Sequence, residues 1–543
     1  MVVAESHKLT LERAFREIMI AFKHHGVIAL RNHSAIPECF HRGNFPEIGL
    51  IFAQGGPTDD AGDRTDLRQN AAYFLFSGFF MTFALPDIEI SEALIRKFDT
   101  LGPRYTSYPT ADRFNTGFTE QSYIGHLEQR VGKPDNPPLS IYVHLPFCES
   151  LCYFCACNKI ITKEHSRIAE YLRYLDKEMA LVAAHLGPDR KAVQLHLGGG
   201  SPTFLTADEL SELMTIVRRH FNFTPEAELG IEIDPRTLKE NTLALLAGLG
   251  FNRNSFGVQD FDPAVQQAVN RLQPLDMVEK AVLESRQAGF ESVNADLIYG
   301  LPKQTLESFG RTLDSLIALS PDRIALYNYA HLPQRFKAQR LIEAKDLPSA
   351  EERLQIFLMS MRRLLDAGYV YIGLDHFSKP DDELNKARLD KSLHRNFQGY
   401  TTRAECDLIG FGVSAISKVG TSYSQSVRTV SAYYASLDAG QLPLEKGFSL
   451  SADDVLRREI IMTLMCSAPV EFAAIERDHG IVFADYFAPE LARLQPYAEA
   501  GLITLDADAI RITPKGRMFV RASGMVFDTY FGQPTTSTYS KLI

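Results

Sequence analysis

Between residues 139 and about 370 the chain alternates short apolar runs with longer stretches of helical periodicity. The apolar runs fall at 139–145, 193–197, 229–233, 254–258, 292–298 and 323–327. Their lack of polar alternation reads as parallel strands covered on both faces. Apolar positions at helical spacing cover about 164–186, 207–220, 237–249, 262–289, 304–319 and 349–367. Six strand–helix units predict an α/β domain with a parallel sheet curving into a partial (β/α)6 barrel. In such sheets ligands lie at the C-terminal strand ends, which is where the polar residues of interest fall.

The flanks read differently. Residues 371–445 are expected to be a loop-rich extension of the barrel. From 446 to 543 the pattern gives helices at 452–465, 470–477 and 486–499, a hairpin at 502–513 and a last helix, a mainly α, winged-helix-like lid domain. Residues 81–138 form an N-terminal arm, in which Gly102-Pro103-Arg104-Tyr105-Thr106-Ser107-Tyr108-Pro109 predicts an extended or looped path. Residues 1–80 hold five histidines (His7, His24, His25, His33, His41) and a polar break from Gly55 to Asp63, with one short amphipathic stretch at 9–23. They are expected to carry no chemistry, either as a poorly ordered extension or as a stretch upstream of a start at Met81.

Charge and cysteine usage narrow the function. The 543 residues carry a formal net charge of −10, which disfavours bulk electrostatic binding to nucleic acid or an anionic membrane. No apolar run reaches the length of a membrane span. Seven cysteines are few for this length and odd in number, which points to a reducing, cytoplasmic setting. Cys39, Cys406 and Cys466 are scattered, but Cys148, Cys152, Cys155 and Cys157 fall within ten residues, directly after the first strand.

The first three follow C-x3-C-x2-C. Thiolates so spaced on one loop suit three irons of a cubane cluster and leave the fourth iron open. Structural zinc would call for a second ligand pair, which the sequence lacks. Gly198-Gly199-Gly200 follows the second strand and admits either a tight turn or close backbone approach to a ligand. Glu232, Gln259 and Asp296 end the third, fourth and fifth strands, and Arg271 is expected on the helix after the fourth. Singly each could be a cap or a surface group; together they face one mouth.

These features resemble the radical S-adenosylmethionine (SAM) superfamily, and more narrowly the oxygen-independent coproporphyrinogen III oxidases. The resemblance rests on Tyr142-x-His144-x-Pro146-Phe147-Cys148-x3-Cys152-x-Phe154-Cys155-x-Cys157, His196-Leu197-Gly198-Gly199-Gly200-Ser201-Pro202-Thr203, Glu232-Ile233-Asp234-Pro235-Arg236, Gly257-Val258-Gln259-Asp260, Asp296-Leu297-Ile298-Tyr299-Gly300-Leu301-Pro302, Asn396-Phe397-Gln398-Gly399-Tyr400 and Gly412-Val413-Ser414-Ala415-Ile416, and covers roughly 85–540. It implies one [4Fe-4S] cluster on Cys148, Cys152 and Cys155. It implies two SAM molecules held by Tyr142, Phe154, Gly199, Gly200, Ser201, Glu232, Gln259, Arg271, Asp296, Ala330 and Ile416. It makes Cys157 a non-ligand that matters for activity, or else a small buried residue.

The implied reaction is decarboxylation of two propionates of coproporphyrinogen III to vinyls, giving protoporphyrinogen IX through 5′-deoxyadenosyl radicals. The implied partner is an electron donor such as a flavodoxin-type reductant, and the implied state is a monomer. Arg104, His144 and His376 are candidate polar contacts. Two other readings stay open: a haem chaperone of the same fold, which would lack Cys157 and the 102–109 motif, and a cluster-containing DNA-binding regulator, disfavoured by the acidic charge.

Overall fold

The computed structural model describes residues 92–533 apart from 99, 134–135, 189 and 404–405. The N-terminal segment, with its expected helix at 9–23, lies outside the described residues. Strand β1 (Leu139–Leu145) is buried at every position except Tyr142, as an apolar run covered on both faces requires. It is followed by β2 (Lys191–Gly199), β3 (Asn222–Ile233), β4 (Arg253–Gln259), β5 (Ser292–Tyr299) and β6 (Arg323–Asn328). Each pairs in parallel with the one before it. The connecting helices are α1 (Ser166–Leu186), α2 (Ala207–His220), α3 (Thr242–Gly248), α4 (Pro263–Ala268), α5 (Leu275–Ala288) and α6 (Leu306–Leu319), with α7 (Ala350–Asp366) after β6. Reciprocal capping boxes at Thr206–Glu209, Thr305–Ser308 and Ser349–Glu352 start α2, α6 and α7 by satisfying N–H groups that a helix leaves free.

Two expectations are corrected. The helix foreseen over 262–289 is broken into α4 and α5. Asn270 adopts a left-handed φ of 55° and Pro274 precedes α5, so the intervening residues leave the helical region. Arg271 therefore lies in the break and is not helical. The second correction concerns residues 371–445, which hold several strands in place of a loop-rich stretch. Among them β7 (Asp407–Phe411) pairs in parallel with the far side of β1, Tyr142 lying in register with Gly410. The parallel strands thus number seven.

Antiparallel strands extend both sides to a 12-stranded sheet with edges at Leu444–Ser449 and Val370–Gly373. The order is linear, so the barrel is partial.

The C-terminal lobe has its own core. Helix α8 (Ala452–Met465), helices Phe472–His479 and Ala488–Glu499, and a three-stranded sheet make the expected helices-plus-hairpin pattern. Tyr105 and Tyr108 are fully buried in this core beside Ile460, Phe483, Phe487 and Phe527. The Tyr105 hydroxyl donates to Asp528 Oδ2 at 2.8 Å. The proline-bearing segment is non-helical, as its residues dictate, and is locked into the lobe. Among the described residues no helix is long and apolar enough to cross a membrane.

Candidate active site

The cysteine loop leaves the C-terminal end of β1 and is fastened on several sides. Gly200 N–H donates to Leu145 O (2.7 Å) and Ser201 N–H to Phe147 O (2.8 Å). Tyr153 N–H donates to Val269 O (3.0 Å), and Asn270 Nδ2 donates to Leu151 O (2.8 Å). The break between α4 and α5 is thus what clasps the loop. Gln339 Nε2, buried, donates to the carbonyls of Phe154 (2.9 Å) and Ala330 (3.2 Å), joining two predicted site residues that lie far apart in sequence.

The glycine run works by close approach. A Cβ on Gly200 would stand 2.5 Å from Phe147 O, and one on Gly199 would meet the His144 ring at 2.7 Å. Gly199 also has a φ of 111°, open to glycine alone at little cost. The N–H groups of Gly199, Gly200 and Ser201 are all taken, Gly199 by Glu232 Oε2 at 3.2 Å. The turn is built against the cysteine loop, and its amides are committed to the protein.

Each predicted ligand sulfur receives a hydrogen bond. Ser201 Oγ donates to Cys148 Sγ (3.8 Å), Arg236 Nη2 and Arg271 Nη1 donate to Cys152 Sγ (3.3 and 3.4 Å), and the Cys157 N–H donates to Cys155 Sγ (3.4 Å). Such donors stabilise thiolate, the form that ligates metal. The Cys157 side chain, then Lys159 and the Cys157 N–H, pull Cys155 down to about 6 against the cost of burial, while burial pushes Cys148 up to about 12. Cys157 itself is exposed at the loop surface.

Among the described residues no three His, Cys, Asp or Glu side chains converge on a single ion. Three separated thiols on one loop fit irons at separate corners of a [4Fe-4S] cluster better than one zinc.

The remaining predicted residues surround this loop. Asp234 takes Arg236 in a two-pronged pair (2.9 and 2.6 Å) and Arg271 Nη1 at 3.1 Å. Burial raises its pKa, but the two guanidiniums outweigh that and hold it below the usual range. Arg271 Nη2 donates to Gly257 O (2.6 Å), and its Nε is buried without a partner. Glu232 lies 3.4 Å from His196 Nε2; against the cost of burial, His196 and the Gly199 N–H hold it ionised. The Tyr142 ring stacks on His196 with centroids 6.1 Å apart. Burial pushes Asp296 up to about 6, although Ser255 Oγ (2.9 Å) and Asn294 Nδ2 (2.8 Å) donate to it. Gln259 has a left-handed φ of 68°, and its Oε1 is buried and unpartnered.

Ile416 stands in the neighbouring strand Ile416–Val419. Its carbonyl lies 2.6 Å from where a Cβ of Gly410 would be, and no hydrogen bond links it to the other site residues.

His144 turns out to be a structural tie, with Nε2 2.9 Å from Asn158 O. Arg104 is ion-paired with Asp375 and is not free to receive a ligand by itself. Asp234 and Arg236 were visible in the sequence only as part of a motif. Gln339 gave no sequence signal, because a single glutamine in an irregular stretch has no pattern.

Sheet topology and the three-thiol loop together define the radical SAM class. The Radical SAM superfamily model matches residues 142–316, and that of the HemN C-terminal domain matches 450–519. An oxygen-independent coproporphyrinogen III oxidase of Pseudomonas aeruginosa is 48% identical over 456 residues, covering 83% of this chain and 98% of the relative. Its counterpart in Escherichia coli K12 is 46% identical over 450 residues, covering 83% and 97%. The solved structure of the Escherichia coli coproporphyrinogen III oxidase, described as a radical SAM enzyme, aligns with a TM-score of 0.78 at 44% identity, covering 82% of this chain and all of that one. The chain belongs to the oxygen-independent coproporphyrinogen III oxidase family.

Proposed function

We propose that this protein oxidatively decarboxylates two propionates of coproporphyrinogen III to vinyl groups, yielding protoporphyrinogen IX for haem synthesis. The observation that carries this reading is a loop of three hydrogen-bonded thiols beside buried polar groups that lack partners.

When bound, the cluster supplies the electron that splits SAM to the radical that takes hydrogen from the propionate β-carbon. Loss of CO2, with the remaining electron passed to an external one-electron acceptor, would then leave the vinyl.

The chain's own part is placement. Arg271, with its free Nε, suits the carboxylate of SAM, since a guanidinium matches a carboxylate in a two-pronged pair. Glu232 and Asp296 accept hydrogen bonds from ribose hydroxyls or an ammonium group. Tyr142 and Phe154 supply apolar walls, and Gln259 Oε1 accepts a further donor. Asp234 and Arg236 act through Arg271 and Cys152 as positioning residues.

Ala330 and Ile416, with Gly199, Gly200 and Ser201, complete the contacts we assign to two SAM molecules. Cys157 is the non-ligand cysteine. We further read residues 81–138 as an arm, 139–370 as the barrel, 371–445 as its extension and 446–543 as the lid, with no catalytic part for 1–80. The protein works as a cytoplasmic monomer with a flavodoxin-type reductant, without nucleic acid or membrane partners. The resemblance over roughly 85–540, with Cys157 and the 102–109 motif, favours the oxidase over a haem chaperone.

The test is anaerobic reconstitution with iron and sulfide, followed by incubation with SAM, reductant and coproporphyrinogen III. Protoporphyrinogen IX with release of CO2 and 5′-deoxyadenosine is expected. Stable haem binding without SAM turnover would overturn the reading.

A further inference from the structure

The barrel holds a second set of unsatisfied groups, set apart from the cysteine loop. The hairpin His394–Asn396/Gly399–Thr401 is tied to the barrel through Gln194 Nε2, which lies 3.5 Å from Thr401 Oγ1. Its Arg395 is 7% exposed, and both Nε and Nη1 are buried without a hydrogen-bond partner. Among the described residues no carboxylate lies within ion-pair distance of it. A buried guanidinium without a counter-ion is costly, and native structures seldom keep one without use.

Negative charge nearby is already committed. Arg104 and Arg395 both stand within electrostatic reach of Arg521, as does one carboxylate, Asp375, which is paired with Arg104. Arg521 is turned to the backbone and donates to Pro103 O at 3.0 Å.

The same cluster connects to the SAM mouth. The Arg395 guanidinium lies 5.0 Å from the Tyr400 ring centroid, Tyr400 meets His376 edge-on at 5.3 Å, and His376 meets Tyr327 edge-on at 6.1 Å. His376 is in register with Ala325, and Ala325 with Asp296. His376 and Tyr327 each keep partial exposure. His376 Nδ1 is buried and unpartnered, and burial, with Arg395 next, pushes its pKa down to about 4. A neutral imidazole can share a hydrogen bond with an anion without adding competing charge.

We propose that Arg395, assisted by His376, is the carboxylate anchor of the substrate, gripping one propionate of the tetrapyrrole while another is presented to the SAM mouth. The anchor rests on the coproporphyrinogen reading above and assigns to this chain a specificity-determining residue for it. A guanidinium offers two parallel donors to a carboxylate, whereas a substrate with a neutral group at that position would leave the charge buried and unpaired.

The test compares the wild-type holoenzyme with Arg395→Met and Arg395→Lys, all reconstituted anaerobically. Arg395→Met is expected to raise KM for coproporphyrinogen III at least tenfold with a much smaller effect on kcat, and Arg395→Lys to fall between. Iron and sulfide content should match wild type. Because Arg395→Met removes an unpaired buried charge, its melting temperature should equal or exceed that of wild type. Addition of coproporphyrinogen III should raise the melting temperature of wild type and not that of Arg395→Met. An Arg395→Met enzyme with wild-type KM, or one whose melting temperature drops by several degrees, would overturn the anchor. Failure of wild type itself to convert coproporphyrinogen III would instead sink the reading on which the anchor rests.

Discussion

Two buried polar regions of the molecule differ in one respect. Around α1, Glu178 Oε2 accepts from the Tyr433 hydroxyl (2.6 Å) and from Gly412 N–H (2.8 Å). The Tyr171 hydroxyl donates to His144 O (2.9 Å) and accepts from Val413 N–H (3.0 Å). None of these side chains has a buried atom without a partner. In the barrel interior, Gln259 Oε1, Arg271 Nε, Asn328 Oδ1, His376 Nδ1 and two nitrogens of Arg395 are buried and unpaired. Burial alone therefore does not separate structure from function here. These two regions differ in satisfaction: the closed network holds strands and helix together, and the open one keeps polar atoms without partners.

The largest expected effect breaks the open region at its centre. Cys152→Ser should abolish the cluster absorbance and SAM cleavage together, read by visible spectroscopy and 5′-deoxyadenosine release. A variant that keeps both would show the ligand assignment to be wrong.

Next is Asp234→Asn, which leaves the buried Arg271 and the part-buried Arg236 guanidiniums facing a neutral amide. Breaking a buried pair in this way costs roughly 3–5 kcal/mol. SAM affinity, measured by calorimetry on the reconstituted protein, should fall at least tenfold, and the melting temperature should drop. Unchanged affinity would detach Asp234 from Arg271's role.

Gly200→Ala drives a Cβ to 2.5 Å from the Phe147 carbonyl. A clash with backbone costs about 1–3 kcal/mol. The expected readouts are a lower melting temperature and reduced iron content after reconstitution. Wild-type values for both would refute the close-approach account of the glycine run.

The smallest effect belongs to the closed region. Burial lifts Glu178 to about 7, above the roughly 4 of an unfolded glutamate. The folded state therefore holds the extra proton in that window. The stability this gives is complete below the unfolded pKa and is lost as pH rises through 7. Glu178→Gln should keep the fold and be more stable than wild type at pH 8, the gain shrinking as pH falls and vanishing below the unfolded pKa of roughly 4. A pH-independent difference in denaturant unfolding would contradict this.

The same contrast explains what the sequence could reveal. β1 was legible to the residue, because a strand covered on both faces is a plain apolar run, and α2 and α8 were legible from helical spacing. The break at Asn270 was not, since one left-handed residue leaves the surrounding periodicity intact. β7 was hidden because Gly410 and Gly412 interrupt its apolar run and no helix follows at once. The thiols and Glu232 lie by recognisable strand ends, whereas Asp296, expected at the end of β5, lies inside it with three strand residues after it. Gln339 and Arg395 became meaningful only when the fold placed their polar atoms out of water, one with partners and the other without.

The central claim is that three thiolates hold a cluster with one corner open to SAM. Electron paramagnetic resonance of the anaerobically reconstituted, reduced protein, recorded before and after adding SAM, tests it most directly. The account predicts a [4Fe-4S] signal that SAM shifts in wild type. A signal indifferent to saturating SAM, or no cluster signal at all, would contradict it.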